Sequence, residues 1–560
     1  MTRLTAFTET LSRSAWRRHL LFALCTLVTL LFIGYYFGTF DQVFHIPFLK
    51  KFADPTLYPN DPFFEMRFQH YSYFWFLWIP FYRLGVLEIT LFIAHILVTY
   101  LTFWAIWLLC EELFHTPLTS FLSTVAFVVP RISFGGFPLF EFSLLNRTFV
   151  FPFLLLAILL YLRRRYLWAY LLLGVLYNLH VISVNFVMGM FLFDSVLQLR
   201  RVGWRNLALG LALFLAGAAP VLIWKFSGPP AILAPQREWF SEVSKYIYQF
   251  FYPLGPYLHV ITPTLNGFCG FVLVGIALHR GSLSAHDRTL IYFLGAVLII
   301  VVVQIVAAWV YPSTFLMQLQ IIRAGVFATL FSYPYLIHYL VKRYQTGDLP
   351  QSEFQLLLGG ALSIPFTLTF LLFWGILRWI RTLRQKPALC VVLIALITVG
   401  NFGIASLYNV WRPGIHIFGV QDDWTDVQLW AREHTPRDAI FISPPQKWDF
   451  YESDWRVFSE RSAVVTFTEL LEIGLVPSHL PEWQTRFEKL VPGARAQFTG
   501  DFFHNRALTA DIFYTRTAAD LQAIAQEYGA TYLVVEKPHT YAFPVIYEND
   551  GYIVYTFPAP

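Results

Sequence analysis

Between Phe40 and His70 the chain reads FDQVFHIPFLKKFADPTLYPNDPFFEMRFQH, placing Asp41, His45, Asp54, Asp61, Glu65, Arg67 and His70 in one short stretch. Only 13% of the 560 residues are charged, so this concentration calls for an explanation. If a helix runs into HIPFLKK, Asp41 and His45 share a face at i,i+4 spacing. A carboxylate there is partly desolvated, which raises its pKa, while a nearby cation lowers it. Such a group suits a general base that takes a proton from a hydroxyl. It equally suits a helix cap.

The other polar residues divide in the same way. Asp54-Pro55 and Asp61-Pro62 carry turn and helix-start signals, with substrate contact as the alternative role. His70 and Glu65 could complete a divalent-metal site, although their spacing fits no ligand motif. Further along, Arg323 ends the QLQIIR segment at the mouth of an apolar run, and Arg147 closes RISFGGFPLFEFSLLNR, which also carries Glu141. A guanidinium binds phosphate through a planar fork, or it snorkels to lipid headgroups. His180 and Asn178 lie at the junction of two runs, either as a ligand-binding pair or as polar residues that join helices. The sequon Asn146-Arg147-Thr148 hugs the membrane, and its use is not expected. No phosphate-cradling Walker loop, HExxH or GxSxG signature occurs.

These residues must be positioned by a membrane scaffold. The chain is 57% hydrophobic and 19% aromatic, with a mean hydropathy of +0.54. Its apolar runs of about 20 residues match a bilayer core of about 30 Å. The net charge of +5 is dispersed in short loops, which argues for orientation and against nucleic-acid binding. The four cysteines form no CxxC pair, so neither a disulfide framework nor a Cys-type metal site is expected.

The basic start, residues 1–19, and the apolar run 20–38 predict an uncleaved first span with a cytoplasmic N-terminus. The stretch 39–84 is then a first outer loop, whose aromatic block 71–82 suits the membrane interface. Further spans are expected near 85–110, 117–130 and 148–163, two between 167 and 199, and one ending near Lys225. A long outer segment covers 227–264, and more spans follow to 406. Run 353–379 is either one span or a hairpin bent at Pro365. The basic cluster Arg378, Arg381, Arg384 and Lys386 favours the hairpin, which places the C-terminus outside.

After about residue 410 the composition is that of a soluble domain of about 150 residues. Asp422-Asp423 caps a helix, AIFIS and TYLVVE are strands, Thr517 to Asp520 begins another helix that Gly529 stops, and two β runs flank Asn549-Asp550-Gly551 as a hairpin. The expected fold is an α-helical polytopic membrane protein of about 11–13 spans, comprising a transmembrane domain over 1–408 and an extracytoplasmic α/β domain over 409–560.

A first span, an acidic residue close behind it, many aromatic-rich spans and a C-terminal α/β domain resemble the GT-C superfamily of membrane glycosyltransferases. The segments DQVFHIPFLKKFADPTLYPNDP, GGFPLFEFSLLNR, QLQIIR and WAREHTPRDAIFISPP look like a bacterial branch of it. The resemblance implies a polyprenyl-phosphate-linked sugar donor and an acceptor glycan, lipid or protein at a bacterial plasma membrane. In that superfamily an acidic residue of the first outer loop acts as general base or helps to bind a metal. By position this residue is Asp41, here followed by Gln42 where a second acidic residue is more usual. Asp41, with His45, would then do the catalysis. Arg323, Arg147, His180, Asp61, Asp54, His70 and Glu141 would contact substrate, Arg323 holding the lipid phosphate. Other expectations are a lipid or sugar transporter or flippase, although no matching halves are visible, and a non-catalytic protein of envelope assembly.

Overall fold

The computed structural model describes residues 2–228, 243, 258–279, 283–310, 313–380, 383, 385–407, 409–447 and 449–558. Most of the expected outer segment 227–264 lies outside these residues.

Seven of the described helices are long and apolar enough to cross a membrane by length and composition: Ala15–Ile33, Leu87–Phe114, Trp204–Ser227, Ile261–Leu278, Ala285–Trp309, Ile321–Gln345 and Pro387–Leu407. Four shorter apolar helices, Asn146–Leu162, Tyr166–Tyr177, Val181–Leu197 and Thr367–Trp379, pack among them. The chain is a polytopic helical protein with a small C-terminal sheet region.

Two spans differ from expectation, and a third takes the favoured form. The first ends at Ile33 rather than at 38, because Gly34 turns the backbone to φ +85. A Cβ at Gly34 would meet the Gly414 carbonyl oxygen at 2.5 Å, so only glycine allows this approach. The run expected to span 117–130 is helical only over Pro117–Ala126, about 15 Å at 1.5 Å per residue and half a bilayer. Run 353–379 is a hairpin, helices Gln351–Ser363 and Thr367–Trp379, broken at Ile364-Pro365-Phe366. Pro365 explains the break, since a proline disfavours helix at the residue before it.

Immediately after Gly34, strand β1 (Tyr35–Tyr36) pairs in parallel with β2 (Ile415–His416). Tyr36 N–H donates to the Phe142 carbonyl at 2.8 Å, which brings in the second loop. The helix Gln42–Ala53 follows, then a 3-10 helix, Pro62–Gln69. The aromatic block is two short helices, Trp75–Trp78 and Ile79–Arg83.

The C-terminal region holds a five-stranded sheet in the order β4-β3-β5-β7-β6. Its strands are β3 (Ile440–Ile442), β4 (Ser462–Ala463), β5 (Tyr532–Glu536), β6 (Val545–Glu548) and β7 (Tyr552–Thr556). β3 runs parallel to both β4 and β5, while β5, β7 and β6 are antiparallel. The helix Asp423–His434 starts where Asp422 accepts from Thr425 N–H at 2.8 Å, and it buries Trp424, Val427 and Ala431 on the sheet. Thr517 and Asp520 cap the helix Ala518–Tyr528, and Gly529 ends it at φ +69.

This sheet region does not stand apart from the first loop. Phe48, Phe63 and Phe64 of the loop share one core with Val457, Phe458, Val464, Phe467 and Trp483. Asp61 accepts from Arg456 Nε at 2.6 Å and Nη2 at 3.1 Å, with both side chains buried. Lys50 Nζ reaches Glu460 and the Val457 carbonyl, each at 2.8 Å. The first loop and the C-terminal region therefore form one packed unit.

Candidate functional site

Asp41 occupies the cap position of the helix Gln42–Ala53, but its side chain makes no capping hydrogen bond. It accepts instead from Arg147 Nη1. Arg147 stands in the first turn of the helix Asn146–Leu162, which begins where Thr148 Oγ1 accepts from Leu145 N–H at 2.8 Å. Its Nε donates to Glu141 Oε1 at 2.7 Å. One guanidinium thus bridges two carboxylates from separate loops, and its Nη2 remains buried with no partner. Burial pushes the Glu141 carboxyl up, against the downward pull of Arg147.

Arg323 sits in the 3-10 turn Ile321–Gly325, its guanidinium 4.1 Å from the centre of the Phe137 ring. Its Nε is buried and unpartnered. Arg323, Arg147 and Glu141 line one cavity of about 520 Å³, including its open mouth. The remaining wall is mainly apolar, with Phe137, Leu139, Phe151, Leu154, Phe186, Val326 and Phe327, plus Thr148 and Ser183. Polar groups are few and converge, as in sites that recognise one charged head on an apolar molecule.

The histidines lie around this cluster. His45 is buried and stacks on Trp75 at 4.8 Å, with the His70 ring at 5.4 Å. Burial holds its pKa well below the ordinary histidine value, and the charges of His70, Arg147 and His180 add to the effect. His45 is therefore neutral at physiological pH. His180 caps the helix Val181–Leu197, Nδ1 accepting from Ser183 N–H at 3.2 Å. If neutral, its ring carries the proton on Nε2. His70 pairs with the buried Glu472 of the C-terminal region.

Asp41, Glu141, Arg147, His180, Arg323, His45 and His70 thus come together from five stretches of chain. Asp61 and Asp54 do not join them. Asp61 starts the 3-10 helix, accepting from Phe63 N–H at 3.2 Å, and is committed to Arg456. Asp54 accepts from the Thr56 N–H and hydroxyl and faces Arg437 on the surface. Both fill the turn and helix-start roles that Asp-Pro signals. Asn178 joins helices, donating to Gly217 O at 2.7 Å and accepting from Val221 N–H at 3.0 Å. Glu65 is exposed, apart from His70.

The donor set does not suit a divalent metal. Asp41 and Glu141 both turn to the Arg147 guanidinium, and among the described residues no three His, Cys, Asp or Glu side chains form a metal-holding group.

Several residues around the site were not singled out from sequence. Phe137 and Ser183 line the cavity. Glu472 has no local signal, lying on a five-residue helix. His95 sits within the apolar helix Leu87–Phe114, where an interrupting polar residue is itself the signal.

The fold and its apolar helices define a multi-pass helical membrane protein. A family model described as a domain of unknown function (DUF6798) matches residues 422–490, which include Asp454, Arg456, Glu469, Glu472 and His479. No curated protein matches the chain.

Proposed function

We propose that the protein is a membrane glycosyltransferase of GT-C type, moving a sugar from a polyprenyl-phosphate-linked donor to an acceptor glycan, lipid or protein on the extracytoplasmic side. The observation that carries this reading is the pair of part-buried guanidiniums, Arg147 and Arg323, on an apolar-walled cavity that also presents the Glu141 carboxylate. Guanidinium forks suit phosphate, and an apolar wall suits a prenyl chain. Arg3, Arg13, Arg17 and Arg18, around the start of the first span, favour a cytoplasmic N-terminus, which puts the first loop, and the C-terminal region packed on it, outside.

The reaction runs as follows. The acceptor oxygen attacks the anomeric carbon. The bond to the lipid phosphate breaks, its electron pair leaving with the phosphate oxygen. Arg147 and Arg323 stabilise the charge that develops there. A carboxylate of the Asp41–Arg147–Glu141 triad takes the acceptor proton.

The test is release of polyprenyl phosphate by the purified full-length protein in nanodiscs, offered a panel of polyprenyl-phosphate sugars and acceptors. Release is expected, and it is lost in Asp41→Asn, Glu141→Gln and Arg323→Met. Tight binding without release across the panel would favour a transporter. Neither binding nor release would overturn the reading and favour an assembly role.

A further inference from the structure

A second, smaller cavity lies between the helices Ala15–Ile33 and Leu87–Phe114. Its wall includes Thr26, Thr29, Gly34, His95, Thr99 and Glu141. Glu141 lines both cavities. Three buried polar atoms on this wall have no hydrogen-bond partner: Thr29 Oγ1, His95 Nδ1 and Glu141 Oε2. Their residues are 2%, 6% and 7% exposed, so bulk solvent does not satisfy them. Orphaned polar atoms at such depth are costly, and three sharing one small space call for a common partner.

We infer that this small cavity holds a water molecule joining Glu141 to His95, and that Glu141, positioned by this water, is the proton acceptor of the site. The water site stands on geometry alone, while the proton's role rests on the transferase reading above.

The walls define the ligand. The Thr26 and Thr99 hydroxyls donate to the Phe22 carbonyl at 2.8 Å and the His95 carbonyl at 2.9 Å, leaving only lone pairs for the cavity. With the Glu141 carboxylate, the wall is rich in acceptors and needs a donor. The space is about one water molecule in size. A monovalent cation would also fit, but the charges nearby already balance, with Asp41 and Glu141 against Arg147 and Arg323. A neutral molecule with two O–H donors meets the demand without adding charge.

This arrangement separates the two carboxylates. Arg147 Nε holds Glu141 Oε1, leaving Oε2 free of the guanidinium. Burial also raises the Glu141 carboxyl above its ordinary range, which strengthens it as a base. Asp41 lines neither cavity and acts as the positioning partner of Arg147. When the acceptor O–H bond breaks, its electron pair forms the new bond to the anomeric carbon, and its proton moves to Glu141. The water, held by His95 and Thr29, keeps Oε2 in place, and the carboxyl gives up the proton to solvent through the open mouth of the main cavity.

The test is infrared difference spectroscopy on the full-length protein in nanodiscs, with pH as the trigger, so that no turnover is required. The expected result is a sharp O–H stretch that shifts in H2-18O, together with a carboxyl C=O band that Glu141→Gln removes. Thr29→Val, close to isosteric, and His95→Phe are both expected to abolish the water band and move the Glu141 carbonyl band to higher frequency. Absence of an 18O-sensitive band in wild type would overturn the inference, as would a band or a carbonyl frequency unchanged in both variants. Spectra that shift when sodium replaces choline would overturn it in favour of a cation. If the protein proves to be a transferase, His95→Phe lowers kcat more than it raises KM; equal effects on the two would overturn the water's positioning of Glu141. If no transfer is found, the infrared result still decides the water site.

Discussion

Replacing Arg456 by methionine tests whether a buried charge cluster clamps the C-terminal region to the first loop. The Arg456 guanidinium meets Asp61 at 2.6 and 3.1 Å, Glu469 at 2.8 Å and the Thr466 hydroxyl at 3.0 Å, with Asp454 at 3.6 Å. All four charged side chains are at most 3% exposed. Methionine fills much of the volume but strands three carboxylates in a dry space. Removing one partner of a buried pair costs about 3–5 kcal/mol. At 1.4 kcal/mol per decade this is roughly a 10²- to 10⁴-fold rise in the population of the undocked state. Amide hydrogen exchange of β3, β4 and the 3-10 helix Pro62–Gln69 reads that population directly. The pH dependence gives a second check. In wild type, burial pushes Glu469 up, but Arg456, with His479 and the Thr466 N–H, pulls it net below its ordinary value. Its stabilising contribution is therefore present above the carboxylate range and lost only as pH falls through the folded pKa. Without Arg456 the largest downward pull is gone and burial outweighs what His479 and the Thr466 N–H still supply, so the folded carboxylates bind protons more readily than the unfolded ones and stability rises as pH falls. Asp454, already raised by burial in wild type, moves further the same way. The deficit of Arg456→Met should thus shrink between about pH 7 and pH 5. Exchange within a factor of about three of wild type at neutral pH, or a deficit independent of pH, would refute the clamp.

Three further outcomes follow from the same contacts. Lys50→Met leaves the Glu460 carboxylate without its principal counter-ion and should cost about 1.5–3 kcal/mol, read as faster exchange in the helix Trp455–Ser459. Gly34→Ala puts a Cβ against the Gly414 carbonyl at a φ that disfavours alanine, so it should part β1 from β2; a cysteine pair at positions 35 and 415 that crosslinks in the parent should then fail to do so. His45 is held neutral by burial, so the unfolded chain binds a proton there that the folded one does not, and stability should fall as pH drops below about 6.5. Part of that loss should vanish in His45→Phe, measured by thermal unfolding at two pH values.

The sequence signals that proved readable are local. Asp422 before an amphipathic run, Thr517 with Asp520, Gly529 and Pro365 each act within four residues, and each appears in the structure where its chemistry places it. The polar concentration at 40–70 also marked a real junction, although Asp54 and Asp61 serve its architecture. What escaped was long-range. Asp61 and Arg456 are 395 positions apart, and Asp41 and Arg147 are 106 apart. β1 and β2 have two residues each, too few for any alternating pattern. Arg456 reads as an ordinary charged residue of a soluble domain until Asp61 is placed beside it.

The β1–β2 pairing also sets a schedule for synthesis. The Tyr36 hydroxyl donates to the Arg412 carbonyl across 376 positions, and the first loop shares its core with residues later still. At about 5–20 residues per second, the loop waits roughly 20–75 s after its own translation before that partner exists. During that interval Phe48, Phe63 and Phe64 lack the C-terminal part of their core, and Lys50 and Asp61 lack Glu460 and Arg456 as counter-ions. The nascent chain therefore depends on the lipid surface or a chaperone to shelter this loop. Truncations that remove the C-terminal region should leave it a target for membrane quality-control proteases, even with every upstream helix inserted.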